Sequence, residues 1–431
     1  MDFKGLKQGY KINVKTSIEV VEGILINDKK DILVLKLNNG YNIGIEKSNI
    51  RDIRVVEKSE MVSNPNGKKI ELNKNLPKIL ILHTGGTIAS RVDYKTGAVH
   101  ASFEPEQLIE MFPELHEIAN IDSVFIGNIW SDDLRFKHIT LIAKEIEKNI
   151  SKGYKGIIIS MGTDNLAVGA AALSFAIENS NIPIIFVGAQ RSSDRGSSDA
   201  GVNLVCAASF VCNSNYRGVA ICMHSKSSDI TCDIFSATKT KKLHTSRRDA
   251  FQNINTESIA MVDYKTGKVS MKQENYSSGE MKILPEFEDK VAILKIHINM
   301  NLEQFKFYKG YKGLIIEGTG LGQIPFTKND GVTEEHEKIR QALKEVIESG
   351  TVVVMTSNCI FGRVNMDVYK PARELQELGV IPGEDMLTET AFVKLAWLLK
   401  NHPNQVKELI GKNICGEISS RTMYQNISQF N

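Results

Sequence analysis

The chain has 431 residues, 42% hydrophobic and 24% charged, with a formal net charge of +2. That length and apolar content suffice for two or three domains with cores of their own, and the charge is too small to mark nucleic-acid binding across the whole surface. No run of about 18 apolar residues occurs, so no membrane-spanning helix is expected; the opening M-D-F-K-G-L-K-Q-G-Y lacks the apolar core of a secretory signal and points to a soluble, cytoplasmic protein.

Residues 10–57 read as short strands, Y-K-I-N-V-K-T, V-V-E-G-I-L-I-N, D-I-L-V-L-K-L and Y-N-I-G-I-E. Turn signals at Asn27-Asp28 and Asn38-Asn39-Gly40 separate them. Short strands without a helix predict a small β-barrel of the SH3 or Sm kind over 1–57. Residues 58–77 are polar and contain Asn64-Pro65-Asn66-Gly67, a linker.

From Lys78 strands and helices alternate. K-I-L-I-L-H precedes a helix near 106–111, and S-V-F-I-G-N one near 137–149. G-I-I-I-S-M precedes 166–179, and I-P-I-I-F-V-G precedes 198–212. This alternation predicts a parallel sheet covered on both faces, with its chemistry at the loops after the strands' carboxyl ends. A polar stretch near 264–290 is followed by V-A-I-L-K-I-H, G-L-I-I-E-G-T-G-L-G, a helix near 334–348, T-V-V-V-M-T-S and two further helices. The expected division is 1–57, 58–77, 78–275 and 276–431.

The six cysteines form no C-x-x-C pair and have no paired histidines at zinc spacing, so no metal site is expected. Their apolar settings suit reduced, structural thiols. The basic clusters at Lys239, Lys241, Lys242 and Arg247-Arg248 suit a solvated face.

L-H-T-G-G-T-I-A-S, residues 82–90, lies where the first core strand ends. Its adjacent glycines, with no lysine after them, do not fit a phosphate loop, and G-T-G-L-G around Thr319 lacks dinucleotide spacing. Thr84 or Thr87 is either a turn cap or a hydroxyl nucleophile beside backbone N–H groups that hold an oxyanion. A nucleophilic hydroxyl needs a base. S-M-G-T-D-N-L places Thr163 and Asp164 at another strand end, where a helix cap is the plainer reading; S-A-T-K-T-K-K places Lys239 in a segment without clear periodicity.

T-G-G-T-I-A-S, M-G-T-D-N and A-T-K-T, in this order, resemble the bacterial-type asparaginase and glutaminase family over roughly 78–400. The resemblance implies a two-domain α/β amidohydrolase with Thr87 as first nucleophile and Thr163, Asp164 and Lys239 as the adjoining proton-transfer group. It further implies Tyr94 on a loop that closes over the site, with Ser131 and Asp132 binding the substrate's α-groups. Lys241 is a rival for the catalytic lysine.

The front barrel, H-T-S-R-R-D-A-F and N-C-I-F-G-R-V-N-M-D-V-Y resemble one branch, the D-type subunits of the archaeal glutamyl-tRNA(Gln) amidotransferase. That branch implies a glutamine-hydrolysing subunit of a glutaminyl-tRNA synthase, with asparagine as a possible alternative donor. It implies no cofactor on this chain, ATP and magnesium on an E-type partner subunit that also binds tRNA(Gln), and a D2E2 assembly. The competing readings are a free-standing L-asparaginase and a non-catalytic scaffold.

Overall fold

The computed structural model describes residues 6–7, 10–28, 31–37, 42–57, 73–86, 90–92, 99–101, 112, 114–191, 198–228, 230–273 and 279–422. The helix expected near 106–111 lies outside them, as do Thr87 and Tyr94. The N-terminal unit is a five-stranded antiparallel sheet of β1 (Lys11–Thr16), β2 (Val20–Asp28), β3 (Ile32–Lys36), β4 (Asn42–Glu46) and β5 (Ile50–Glu57), ordered β4-β3-β2-β1-β5. Alternating residues such as Ile12, Val14, Val21, Leu33 and Leu35 point inward, because the side-chain period of a strand is two. They form a core of their own.

The second sheet has eight strands: β6 (Lys78–His83), β7 (Asn120–Phe125), β8 (Gly156–Ser160), β9 (Pro183–Val187), β10 (Gly218–His224), β11 (Thr231–Ser236), and then β14 (Ala260–Asp263) and β15 (Val269–Met271). A small hairpin of β12 (Thr240–Lys242) and β13 (Phe251–Asn253) stands apart from it. The sheet order is β15-β14-β11-β10-β9-β8-β6-β7. The strands from β10 to β7 pair in parallel, as expected. At the other edge β11, β14 and β15 pair antiparallel. The connections from β10 to β11, residues 225–230, and from β14 to β15, residues 264–268, are too short for a parallel crossover, which needs a dozen or more residues.

Strands β8 and β9 are buried throughout, as continuous apolar runs covered on both faces should be. Helix α1 (Phe136–Asn149) buries the stripe Ile139, Ile142, Ala143, Ile146. Helices α2 (Leu166–Ala176) and α3 (Ala200–Asn213) are apolar nearly all round and almost wholly buried.

The third unit is a four-stranded parallel sheet in chain order, β16 (Val291–Lys295), β17 (Gly313–Gly318), β18 (Val352–Ser357) and β19 (Ile381–Pro382). It is joined by α4 (Glu335–Glu348), α5 (Lys370–Leu378) and α6 (Thr388–Asn401). Pro371 in the first turn of α5 and Gly379, at φ 107° after its last, set the bounds of that helix. Leu80 and Phe175 from the second unit pack in one continuous core with Ile315, Val354 and Trp397 from the third. The two units therefore cannot separate without exposing apolar surface.

The order of the eight-stranded sheet reverses between β6 and β8: the chain leaves β6 for β7 on one side and β8 for β9 on the other. Such a reversal opens a crevice at the carboxyl ends of the two strands.

Candidate active site

The glycine pair sits in this crevice. Gly85 and Gly86 have φ of 103° and 85°, the left-handed region in which a Cβ is strained. A Cβ on Gly86 would lie 2.2 Å from the backbone nitrogen of Gly162, and one on Gly85 would lie 2.7 Å from that of Ile129. The glycines thus let the β6 loop rest directly on the loops that follow β8 and β7. Thr84 braces this junction. It is fully buried, its Oγ1 donates to the carbonyl of Ser160 at 2.8 Å, and its own carbonyl accepts from the amide of Ile129 at 2.8 Å. Thr84, one of the two threonines that flank the glycines, therefore has a structural role.

Beside it, His83 is buried, with Nδ1 3.1 Å from Ser160 Oγ. Its Nε2 finds no hydrogen-bond partner among the described residues. Burial pushes its pKa down to about 4, because the charged ring loses its hydration there.

The loop after β8 brings Thr163 and Asp164 to the same crevice. Thr163 is buried, whereas the Asp164 side chain is 70% exposed. Neither caps α2: the N-cap is Asn165, without a side-chain capping bond. Asn165 instead donates to the carbonyl of Ser131 at 2.8 Å, and the Asp164 amide donates to Ser131 Oγ at 3.1 Å. Ser131 is buried and Asp132 exposed, both in the 3-10 turn Ser131–Asp133. The three loops after β6, β7 and β8 thus lock together through backbone approach and through Ser131.

The lysine against Thr163 is not the one expected. Lys242 Nζ donates to Thr163 Oγ1 at 2.9 Å and to Asp164 Oδ1 at 2.8 Å, and its side chain is 13% exposed. Lys239 does not reach Thr163. Its Nζ pairs with Asp385 Oδ2 at 2.6 Å, with the two side chains 3% and 0% exposed. Burial pulls the Lys239 pKa below its ordinary value, opposed by the Asp385 charge. The rival, Lys241, pairs with Glu389 at 2.5 Å.

The reason for the difference is local geometry. Lys239 lies in the turn before β12, so its side chain enters the junction with the third unit. Lys241 and Lys242 are neighbours in a strand and face opposite ways. Pairing of Lys242 with Phe251 across the β12–β13 hairpin fixes that register. The sequence signal for Lys242 is weak. A direct match to T-K-T leads to Lys239, and nothing local distinguishes the three lysines.

A threonine hydroxyl and a carboxylate, each hydrogen-bonded to one lysine, form a group that can accept and return a proton. No cluster of metal-ligating side chains occurs among the described residues, nor is any helix there long and apolar enough to cross a membrane. All six cysteines are free; Cys206, Cys222 and Cys232 are buried, and Cys359 is exposed.

Comparison with known proteins gives a consistent picture. Residues 78–277 match the asparaginase N-terminal domain, 290–410 the glutaminase/asparaginase C-terminal domain and 6–56 the GatD N-terminal domain. The chain is 43% identical over 426 residues to the D subunit of the glutamyl-tRNA(Gln) amidotransferase of Pyrococcus furiosus, covering 97% of this chain and 93% of that one. It is 44% identical over 399 residues to the protein of the same name from Methanococcus maripaludis, 90% of this chain and 92% of that one. Among solved structures, the thermostable L-asparaginase of Thermococcus kodakarensis superposes with a TM-score of 0.71 at 28% identity, over 79% of this chain and 99% of that one. L-asparaginase I of Vibrio cholerae does so at 0.68 and 25%, over 80% and 99%.

Proposed function

Because the chain belongs to the family of D-type subunits of glutamyl-tRNA(Gln) amidotransferase and has asparaginase-type domains, we propose that it is the glutaminase subunit of such an enzyme, releasing ammonia from glutamine or asparagine. The observation that supports this best is the contact of Lys242 with both Thr163 and Asp164 at the crevice between β6 and β8.

In this reading Thr87 Oγ attacks the side-chain amide carbon. The C–N bond breaks, the hydroxyl proton passes to the departing nitrogen, and ammonia leaves an ester on Thr87. Water then attacks that ester beside Thr163. Its proton moves through Thr163 to the Lys242–Asp164 pair and back to Thr87 as the acid product departs. Splitting one difficult substitution into two is the usual gain of covalent catalysis. Lys242 takes the role that the sequence assigned to Lys239. Ser131 holds the loops in register and, with Asp132, contacts the α-groups of the substrate; Tyr94 closes over the amide.

The ammonia passes to an E-type partner subunit. That partner binds tRNA(Gln) and uses ATP and magnesium to activate glutamate on mischarged tRNA, so this chain binds no cofactor of its own. Two copies of each subunit form a D2E2 assembly in the cytoplasm. The match of residues 6–56 to the GatD N-terminal domain favours this reading over a free-standing L-asparaginase. The T. kodakarensis asparaginase is matched over 99% of its own length by only 79% of this chain, so that enzyme gives no use for the remainder. We take the division at 1–57, 78–275 and 276–431 as the functional one.

The test is ammonia release from glutamine and, separately, asparagine. It is run with the chain alone and with its partner subunit, ATP and glutamyl-tRNA(Gln). Release is expected to rise with the partner and mischarged tRNA, and Lys242→Met to lower it by about a hundredfold or more. Full activity alone, unmoved by the partner, would make the chain a free asparaginase.

A further inference from the structure

Three lysines within four residues do three different jobs. Lys242 faces the crevice, while Lys239 and Lys241 reach the third unit at Asp385 and Glu389. The turn before β12 is tied there by its backbone as well: the carbonyl of Thr238 accepts from Thr390 Oγ1 at 2.8 Å. Asp385 is held in turn by the amide of Ser419 at 2.9 Å on its other oxygen. The amide of Ile254 closes the hairpin on the carbonyl of Lys239 at 2.7 Å. The short hairpin that presents Lys242 does not belong to the eight-stranded sheet. Its placement against Thr163 therefore depends on what grips it from behind.

We propose that Lys239, through its buried pair with Asp385, is a positioning residue for Lys242: the third unit holds β12 so that Lys242 meets Thr163 and Asp164. This rests on the reading of Lys242 as a catalytic residue. An ion pair at this depth is a poor choice for stability alone, since well-packed apolar residues usually replace such a pair without loss. Its geometry is specific, however. The strand has only three residues, and a shift of about 1 Å at a proton-transfer group costs as much as a hundredfold in rate.

The experiment measures glutamine and asparagine hydrolysis by the full chain in its partner complex, at enzyme concentrations that read residual turnover. The forms compared are native, the apolar swap Lys239→Met with Asp385→Leu, Lys242→Met, and all three substitutions together. Circular dichroism and thermal melting follow the fold. The swap is expected to fold, to lower kcat by about tenfold or more, and to leave KM within about twofold, the mark of a group acting on turnover rather than binding. Added to Lys242→Met it is expected to cause no further fall, because residues acting through one group are not additive. Lys239→Arg, which keeps the charge, is expected to retain kcat.

Where the swap fails to fold, Thr390→Val loosens the same turn and is expected to give a smaller kcat loss with the same lack of additivity. An unchanged kcat in a folded swap, or an equal loss with and without Lys242, would overturn the proposal. Native-level turnover by Lys242→Met alone is a different result: it would remove the catalytic reading of Lys242 and the inference with it.

Discussion

Single residues at this site are specified by what their neighbours deny them. His83 has one ring nitrogen on Ser160 and the other buried without a partner among the described residues, which leaves the imidazole neutral at ordinary pH. Its pKa is pushed down to about 4 in the fold, against an unfolded value of about 6.5. Between those values the unfolded chain binds the extra proton, so stability is fully present above pH 6.5 or so and falls as the pH drops toward 4. This one group accounts for about 3 kcal/mol across that window. His83→Gln is expected to remove this part of the acid loss, and urea unfolding near neutrality and near pH 4.5 would show it as a smaller gap between the two midpoints. An equal gap in both proteins would place the acid sensitivity elsewhere.

At the scale of elements, the loops after β6, β7 and β8 form one unit because glycine removes the atoms that would keep them apart. Gly86 combines a left-handed φ with a backbone neighbour in the space a Cβ would need. Gly86→Ala is therefore expected to cost more than the ~1 kcal/mol of a strained φ alone, and to displace the loop that leads into Thr87. The expected pattern is a lower denaturation midpoint together with a fall in kcat. Gly153→Ala shares a left-handed φ but meets nothing nearby, and is expected to show only the small stability loss. Equal effects from the two substitutions would mean that the close approach to Gly162 is not maintained in solution.

Across the whole molecule, cores decide which parts unfold together. Trp397 is fully buried, lies 5.9 Å from Phe175 and donates from Nε1 to the carbonyl of Leu284 at 3.0 Å. It packs in the core shared by the second and third units. Trp397→Ala is expected to cost about 3–5 kcal/mol and to lower one calorimetric transition that covers both units. Leu35 belongs to the separate core of the five-stranded sheet. Leu35→Ala is expected to lower only a transition of that sheet and to leave the main one in place. A single transition shifted equally by both would show that the N-terminal unit has no stability of its own.

Most elements of the described residues and the grouping of their loops were legible from local pattern alone. Apolar runs such as G-I-I-I-S and P-I-I-F-V are buried strands whatever surrounds them, and the alternation of strand and helix leaves a parallel sheet as the economical arrangement. The four helices expected near 137–149, 166–179, 198–212 and 334–348 correspond to α1, α2, α3 and α4, which end within a few residues of those limits. The meeting of M-G-T-D-N with Thr84-Gly85-Gly86 was legible for the same reason, because loops at the carboxyl ends of neighbouring parallel strands must converge. The choice among Lys239, Lys241 and Lys242 was not legible. All three are cations in one polar stretch, and their local chemistry is the same. Which of them meets Thr163 depends on the register of a three-residue strand, and that register is set by Phe251 across the hairpin and by Asp385 and Glu389 from more than a hundred residues away. Periodicity is a property of neighbouring residues, whereas the facing of a short strand is a property of its distant contacts, and only the tertiary structure supplies those.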